Sequence, residues 1–164
     1  MKQGKVILID YNIFFFRAVF AWRINKNIPM EYICLNMILS NLSKIGLEPY
    51  DTVIVAVDGR GNWRKDYEKQ YKANRSEQRK KHEDIDWDIM FRKSKRLINQ
   101  INDATDWHII QIDKIEADDI ASVSCRYFKD KEVILVSYDS DWELLWHYPN
   151  VKIFSPKKKY KSKK

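Results

Sequence analysis

The sequence predicts an α/β fold in which a mostly parallel central sheet carries helices on both faces. Three observations carry that reading. Short uninterrupted apolar runs recur along the chain, as strands buried on both faces do. Helical patterns lie between them, the alternation that builds parallel sheets. Successive runs end in acidic residues, which places one kind of chemistry at one edge of the sheet.

Taken in order, Val6-Ile7-Leu8-Ile9 ending in Asp10 reads as the first strand, and Thr52 to Val57 ending in Asp58-Gly59 as the second. Trp107 to Ile112 is the third and precedes Glu116. Glu132 to Ser137 is the fourth, ending near Asp139 and Asp141, and Val151 to Phe154 is a candidate fifth. Pro29 suits a first helical turn and Gly46 a stop; between them Met30, Ile33, Met37, Ile38, Leu42 and Ile45 recur at three- and four-residue steps. Ile89 to Ile101 and Ala117 to Phe128 read as two more helices. The basic stretch from Arg60 to about Asp88 is too long and polar for an ordinary connection.

A chain of 164 residues is about one domain. With 45% hydrophobic and 32% charged residues and only 4 Gly and 4 Pro, it is neither collagen-like nor wholly disordered. No run approaches the ~20 apolar residues of a membrane span, and Asp10 interrupts the N-terminal apolar run too early for a signal peptide. Cys34 and Cys125 fall in helical, buried-looking segments with no CxxC, so neither a disulfide framework nor structural zinc is expected. A cytoplasmic protein is the expectation, with no membrane partner.

The net charge of +7 is unevenly placed. Six lysines fall within Lys157 to Lys164, and Arg60 to Lys81 holds nine Lys/Arg against three acids, leaving the remaining body mildly acidic. A basic segment beside a carboxylate-rich pocket is the pattern of a phosphate-binding surface; a solvated arm and tail is the plainer alternative.

Asp10, Asp58, Asp139 and Asp141 stand at or just past strand ends, and Glu116, Asp118 and Asp119 open the helix after another. In an open parallel sheet these ends share the edge where ligands bind. Carboxylates gathered so closely repel and raise one another's pKa unless a cation neutralises them. An all-oxygen set favours Mg²⁺ or Mn²⁺ over zinc, and two ions roughly 4 Å apart could clamp both oxygens of a phosphodiester displacement. Singly, each acid has a structural explanation: Glu116, Asp118, Asp119 or Asp139 as helix-capping groups, Asp58-Gly59 as a turn. An acid at every successive strand end is not explained that way.

These residues resemble the bacteriophage and bacterial 5′-nucleases, the flap endonuclease/5′→3′ exonuclease superfamily built on a PIN-like domain. The match runs in order through Val6 to Asn12 (VILIDYN), Val57-Asp58-Gly59, Trp63-Arg64-Lys65, Tyr71-Lys72-Ala73-Asn74-Arg75, Glu116-Ala117-Asp118-Asp119, Ser137 to Trp142 (SYDSDW) and Phe154-Ser155-Pro156. The resemblance implies that Asp10, Asp58, Glu116 and Asp118 hold one ion and that Asp119, Asp139 and Asp141 help to hold a second, directly or through water. It implies that Lys72 and Arg75 reach the scissile phosphate, a role in which a cation offsets developing charge and Arg contacts it bidentately. Residues from Arg60 to about Arg96 would form a helical arch for a single-stranded 5′ end. There Arg64, Lys65, Arg79, Lys80 and Lys81 would contact nucleic acid, and Trp63, Tyr67 and Tyr71 would stack on bases or pack the arch onto the body.

The sequence departs from the family at Tyr11, where small residues are common and where a tyrosine would narrow the entrance or stack on a terminal base. Ser140 stands where Gly is common. Residues 1–156 thus read as a catalytic domain and 157–164 as a Lys-rich tail, without the family's helix–hairpin–helix region, which brings duplex contacts and a further metal aspartate. The expectation is a metal-dependent nuclease acting on DNA with a free or flapped 5′ end, or on primer RNA, as half of a split enzyme whose second polypeptide carries the missing region. The alternatives are a minimal PIN-like ribonuclease and a non-catalytic nucleic-acid-binding subunit.

Overall fold

In the computed structural model, which describes residues 4–72, 79–155 and 159–160, six strands form one sheet in the order β3-β2-β1-β4-β5-β6. These are β1 (Val6–Asp10), β2 (Thr52–Val57), β3 (His108–Gln111), β4 (Val133–Val136), β5 (Val151–Ser155) and β6 (Lys159–Tyr160). The first five are parallel, and β6 pairs antiparallel with β5. Strand succession reverses direction at β1, with β2 on one side and β4 on the other. That reversal opens a crevice beyond the carboxyl ends of β1 and β4.

The two-residue period of each strand splits the interior into two cores. Ile7 and Ile9 face one layer with Val53, Val55, Val57, Ile134 and Val136. Val6 and Leu8 face the other with Ile54, Ala56, Val133 and Leu135. The first layer is covered by α1 (Tyr11–Ile24), α2 (Met30–Ile45) and α4 (Trp87–Ala104). The second is covered by α5 (Ala117–Tyr127) and a 3₁₀ segment, Asp141–His147, which buries Trp142. The helices on both faces, the parallel sheet and the five expected strands are as the sequence reading has them. Cys34 on α2 and Cys125 on α5 are both buried and unbridged.

Helix α2 stops at Gly46, whose φ of 75° is left-handed and whose N–H donates to the Leu42 carbonyl at 3.0 Å. Gly59 is demanded by close approach instead: a Cβ there would lie 1.8 Å from the Ile112 carbonyl oxygen. The sequence reading did not single out α1, because Ile13, Phe14, Phe15, Phe16, Ala18, Val19 and Phe20 leave no clean polar face. The expected arch is shorter than drawn. Helix α4 begins at Trp87 and buries Met90 and Ser94 in the body, so residues 87–96 belong to the core layer. Between Arg60 and Asp86 the described residues include the short helix α3 (Arg64–Tyr67) and helical backbone at Arg79 and Lys80. Residues 73–78, and with them Arg75, lie outside the described residues, as do Pro156 to Lys158 and Lys161 to Lys164.

Candidate active site

Five acids from four segments line one open cleft of about 820 Å³ at the carboxyl edge of the sheet: Asp10, Asp58, Glu116, Asp118 and Asp139. Asp10 ends β1 and caps α1, accepting from the Ile13 N–H at 3.5 Å. Its other oxygen accepts from the Ser137 hydroxyl at 2.7 Å. Burial pushes the Asp10 carboxyl up to about 7, with the Asp58 and Asp118 charges adding to the effect and the Ser137 hydrogen bond opposing it. Asp58 is held by two donors. Asn12 Nδ2 lies 2.8 Å from one oxygen and the Ala117 N–H, at the start of α5, lies 2.9 Å from the other. Asn12 also accepts from the Asp58 N–H at 3.2 Å, closing a reciprocal clasp between α1 and β2.

Glu116 caps α5 in a capping box with Asp119. Lys72 donates to Glu116 at 2.6 Å, Arg64 at 2.9 Å and the Tyr71 hydroxyl at 3.0 Å. Burial pushes the Glu116 carboxyl up, but Lys72, Asn62 and Tyr71 more than offset it and hold it below its ordinary value. Asp119 receives both guanidinium nitrogens of Arg64, at 2.7 and 2.9 Å, and the Trp63 indole at 3.2 Å. Arg64 holds the Asp119 carboxyl low, and Asp119 in turn raises the Arg64 pKa. Asp118 is hydrogen-bonded elsewhere, although the Lys72 charge still acts to lower its pKa. Its Oδ1 accepts from the buried Trp142 indole at 2.7 Å, and burial raises its pKa despite that bond. The Asp139 N–H donates to Ser137 Oγ at 2.9 Å, and its carboxylate accepts from the Asp141 N–H at 3.0 Å.

The structure thus brings together Asp10, Asp58, Glu116, Asp118 and Asp139, with Lys65, Lys69, Lys72 and Arg79 on the same cleft. Asp141 is exposed on the 3₁₀ segment and does not line it, and neither do the exposed Lys80 and Lys81. One expectation is corrected. Tyr11 is 1% exposed and bonds Ser94 through its hydroxyl, so it packs α1 onto α4 and cannot stack on a base. Asp119 serves as a capping group and as the partner of Arg64. Arg64 is paired with Glu116 and Asp119 in this structure. The roles of Asn12 and Ser137 went unassigned although both lie inside the motifs VILIDYN and SYDSDW; a short hydrogen-bonding side chain beside each aspartate was the available signal.

The acids supply oxygen ligands only, the donor set of a hard divalent cation. As arranged, however, no three acids, histidines or cysteines among the described residues stand close enough to hold one ion, and Glu116 is engaged by Lys72 and Arg64. The set fits by chemistry, and ion binding would require side-chain rearrangement. No helix among the described residues is long and apolar enough to cross a membrane.

Known proteins are similar to this chain in sequence or in fold. Ribonuclease H of Enterobacteria phage T4 is 31% identical over 131 residues, which is 77% of this chain and 43% of the relative. The phage T5 5′-exonuclease with bound zinc ions superposes with a TM-score of 0.74 at 24% identity, covering 94% of this chain and 56% of that one. A phage T5 flap endonuclease complexed with DNA and metal ions gives 0.75 at 22% identity, covering 94% and 56%. The chain therefore spans about half the length of these relatives. The model of the 5′-3′ exonuclease N-terminal resolvase-like domain matches residues 5–164, and the chain belongs to that family.

Proposed function

We propose that this chain is the catalytic part of a divalent-metal-dependent 5′-nuclease that hydrolyses DNA phosphodiesters near a free 5′ end. The observation that carries the proposal is the convergence of five acids on one cleft that Lys65, Lys69, Lys72 and Arg79 also line. Family membership supports it, as do the DNA and metal ions bound by the T5 relative. Mg²⁺ or Mn²⁺, up to two ions, is the proposed cofactor, and Asp10, Asp58, Asp118 and Asp139 are the residues proposed to hold it. Glu116 would join them on exchanging its Lys72 and Arg64 partners. Bound there, the metal would activate water and neutralise phosphate charge.

The protein's own groups do the rest. Lys72, released from Glu116, becomes a cation that can follow charge onto the scissile phosphate, and Arg75 is proposed beside it on the resemblance alone. Ser137 and Asn12 hold Asp10 and Asp58 in place by the hydrogen bonds described above. Residues 1–156 are proposed as the catalytic domain, with residues 60–86 as the strand-guiding segment and 157–164 as a diffuse electrostatic contact. A primer RNA strand is the second substrate reading, favoured by the name of the T4 relative.

The test is cleavage of a 5′-flap duplex and of single-stranded DNA and RNA with Mg²⁺ or Mn²⁺, against EDTA and against Asp118→Asn. The expected result is metal-dependent cleavage of DNA that the variant lacks. Cleavage that survives either EDTA or the substitution would overturn the assignment.

A further inference from the structure

The acids and lysines account for only part of the cleft lining. The same cleft carries a group of aromatic side chains. Helix α1 runs from Asp10 into the stripe Ile13, Phe16 and Phe20, and α4 opposes it with Trp87 and Phe91; all five line the same cleft. The rings form a continuous array. Phe16 lies 6.0 Å from Trp87 and 6.4 Å from Phe91, Trp87 lies 6.2 Å from Phe91, and Phe20 lies 6.2 Å from Trp87. Phe16 and Trp87 are half-buried and knit α1 to α4, whereas Phe20 and Phe91 each leave 38% of their surface exposed. Core packing explains the first pair and leaves the exposed faces of the second unexplained. The Arg79 guanidinium sits 5.6 Å from the centre of the Phe91 ring and lines the cleft too. Rings with a neighbouring cation are what an unpaired nucleotide meets in a single-strand binding groove, the ring taking the base and the cation the backbone.

Helical rise gives the spacing. At 1.5 Å per residue, Phe16 and Phe20 lie about 9 and 15 Å along α1 from Asp10. That is the length of about three to four stacked nucleotides at 3.4 Å each. We propose that Phe16, Phe20, Trp87 and Phe91 form a base-stacking shelf for unpaired nucleotides of the DNA substrate, three to four positions from the phosphate at the acid cluster. The inference rests on the nuclease reading above and adds which part of the substrate is gripped, and by what chemistry.

The shelf binds bases, and the lysines bind phosphates, so the two are separable. The experiment measures fluorescence anisotropy of the 164-residue chain in EDTA, with a 12-nucleotide single-stranded DNA and with an abasic strand carrying the same phosphates. The wild-type chain should bind the base-bearing strand at least about 10-fold more tightly. Phe20→Leu with Phe91→Leu, which keeps apolar volume but removes two π-faces, should bring the two strands within about 2-fold. Each single substitution should do so in part, which guards against misfolding of the double variant. Lys65→Ala should weaken both strands alike. Full discrimination retained by the double variant overturns the shelf. Equal wild-type affinity for both strands overturns the shelf while leaving the nuclease reading intact, and no binding to either strand overturns both.

Discussion

Asp10→Asn should make the metal-free protein more stable at neutral pH, although it removes a residue proposed for catalysis. The Asp10 carboxyl is 6% exposed and its pKa is raised to about 7 from an ordinary 3.8. A carboxyl whose folded pKa lies above its unfolded one holds its proton more tightly in the folded state. Its ionisation therefore takes stability away as pH rises from about 4 to about 7, and the whole penalty is present above the folded value. A shift of about three units corresponds to about 4 kcal/mol at pH 8, an upper bound for a buried group. The asparagine amide can still accept from the Ile13 N–H and face Ser137, so the capping loss is about 1 kcal/mol or less. The expected net gain is about 2–4 kcal/mol at pH 8 and under about 1 kcal/mol at pH 4. Urea unfolding followed by tryptophan fluorescence in EDTA, on both proteins at both pH values, measures it. A difference that does not change with pH, or a variant less stable at pH 8, would refute the argument that Asp10 is held in an electrostatically unfavourable place.

Other substitutions and conditions separate the roles of the cleft residues. Millimolar Mg²⁺ or Mn²⁺ should raise the Tm of the wild-type chain by about 5–10 °C at 100-fold excess over Kd, and the rise should largely vanish in Asp10→Asn; differential scanning fluorimetry reads both. Asp118→Asn, which keeps an acceptor for the Trp142 indole, should abolish cleavage with little loss of stability. Asp118→Ala should in addition cost about 1–3 kcal/mol by orphaning that buried N–H, and denaturation of the two variants side by side tests the distinction. Lys72→Ala should lower kcat far more than it raises KM, whereas removing residues 157–164 should raise KM and flatten its salt dependence; steady-state kinetics at two salt concentrations separates the two. Supplying the duplex-binding region expected from the family resemblance, fused or as a second polypeptide, should raise cleavage at flap junctions relative to plain single strands, measured on paired substrates.

Much of the fold was legible because it rests on composition over short windows. The runs Val6–Asp10 and Thr52–Val57 are short and apolar on both faces, as a strand buried on both sides is, and the helix Met30–Ile45 has both an apolar stripe and a glycine stop. The acids were legible for a related reason: a strand fixes where its last residue points, so an aspartate at each end is an aspartate at one edge. Tyr11 was misread because sequence position shows adjacency to Asp10 but not helical phase. One residue into α1, its side chain swings toward Ser94 and away from the cleft. The pairing of Arg64 with Asp119 was not legible because a cation near an acid-rich edge has two stable destinations, an internal carboxylate or an external phosphate, and motif spacing is the same for both.

That ambiguity divides the cleft in a way with chemical content. On one side Arg64 and Lys72 neutralise Glu116 and Asp119, whose carboxyls are held below their ordinary values. On the other, burial raises the pKa values of Asp10 and Asp118, and neighbouring carboxylate charges add to it. The hydrogen bonds that oppose it come from neutral donors, a serine hydroxyl, a backbone amide and an indole, and the Lys72 charge acts on Asp118 in the same direction. A neutral donor orients a carboxylate without cancelling its charge, so this second half attracts a cation while the first half already has two. An ion arriving at Asp10, Asp58 and Asp118 would recruit Glu116 only by displacing Lys72, which lies at 2.6 Å from it. On the proposed function, Glu116 would join the ion's ligands as Lys72 is freed toward a phosphate, so the two changes would be coupled through one carboxylate. The positive φ of 54° at Lys72 places it on a turn rather than a helix, a backbone able to make that move without unwinding a regular element.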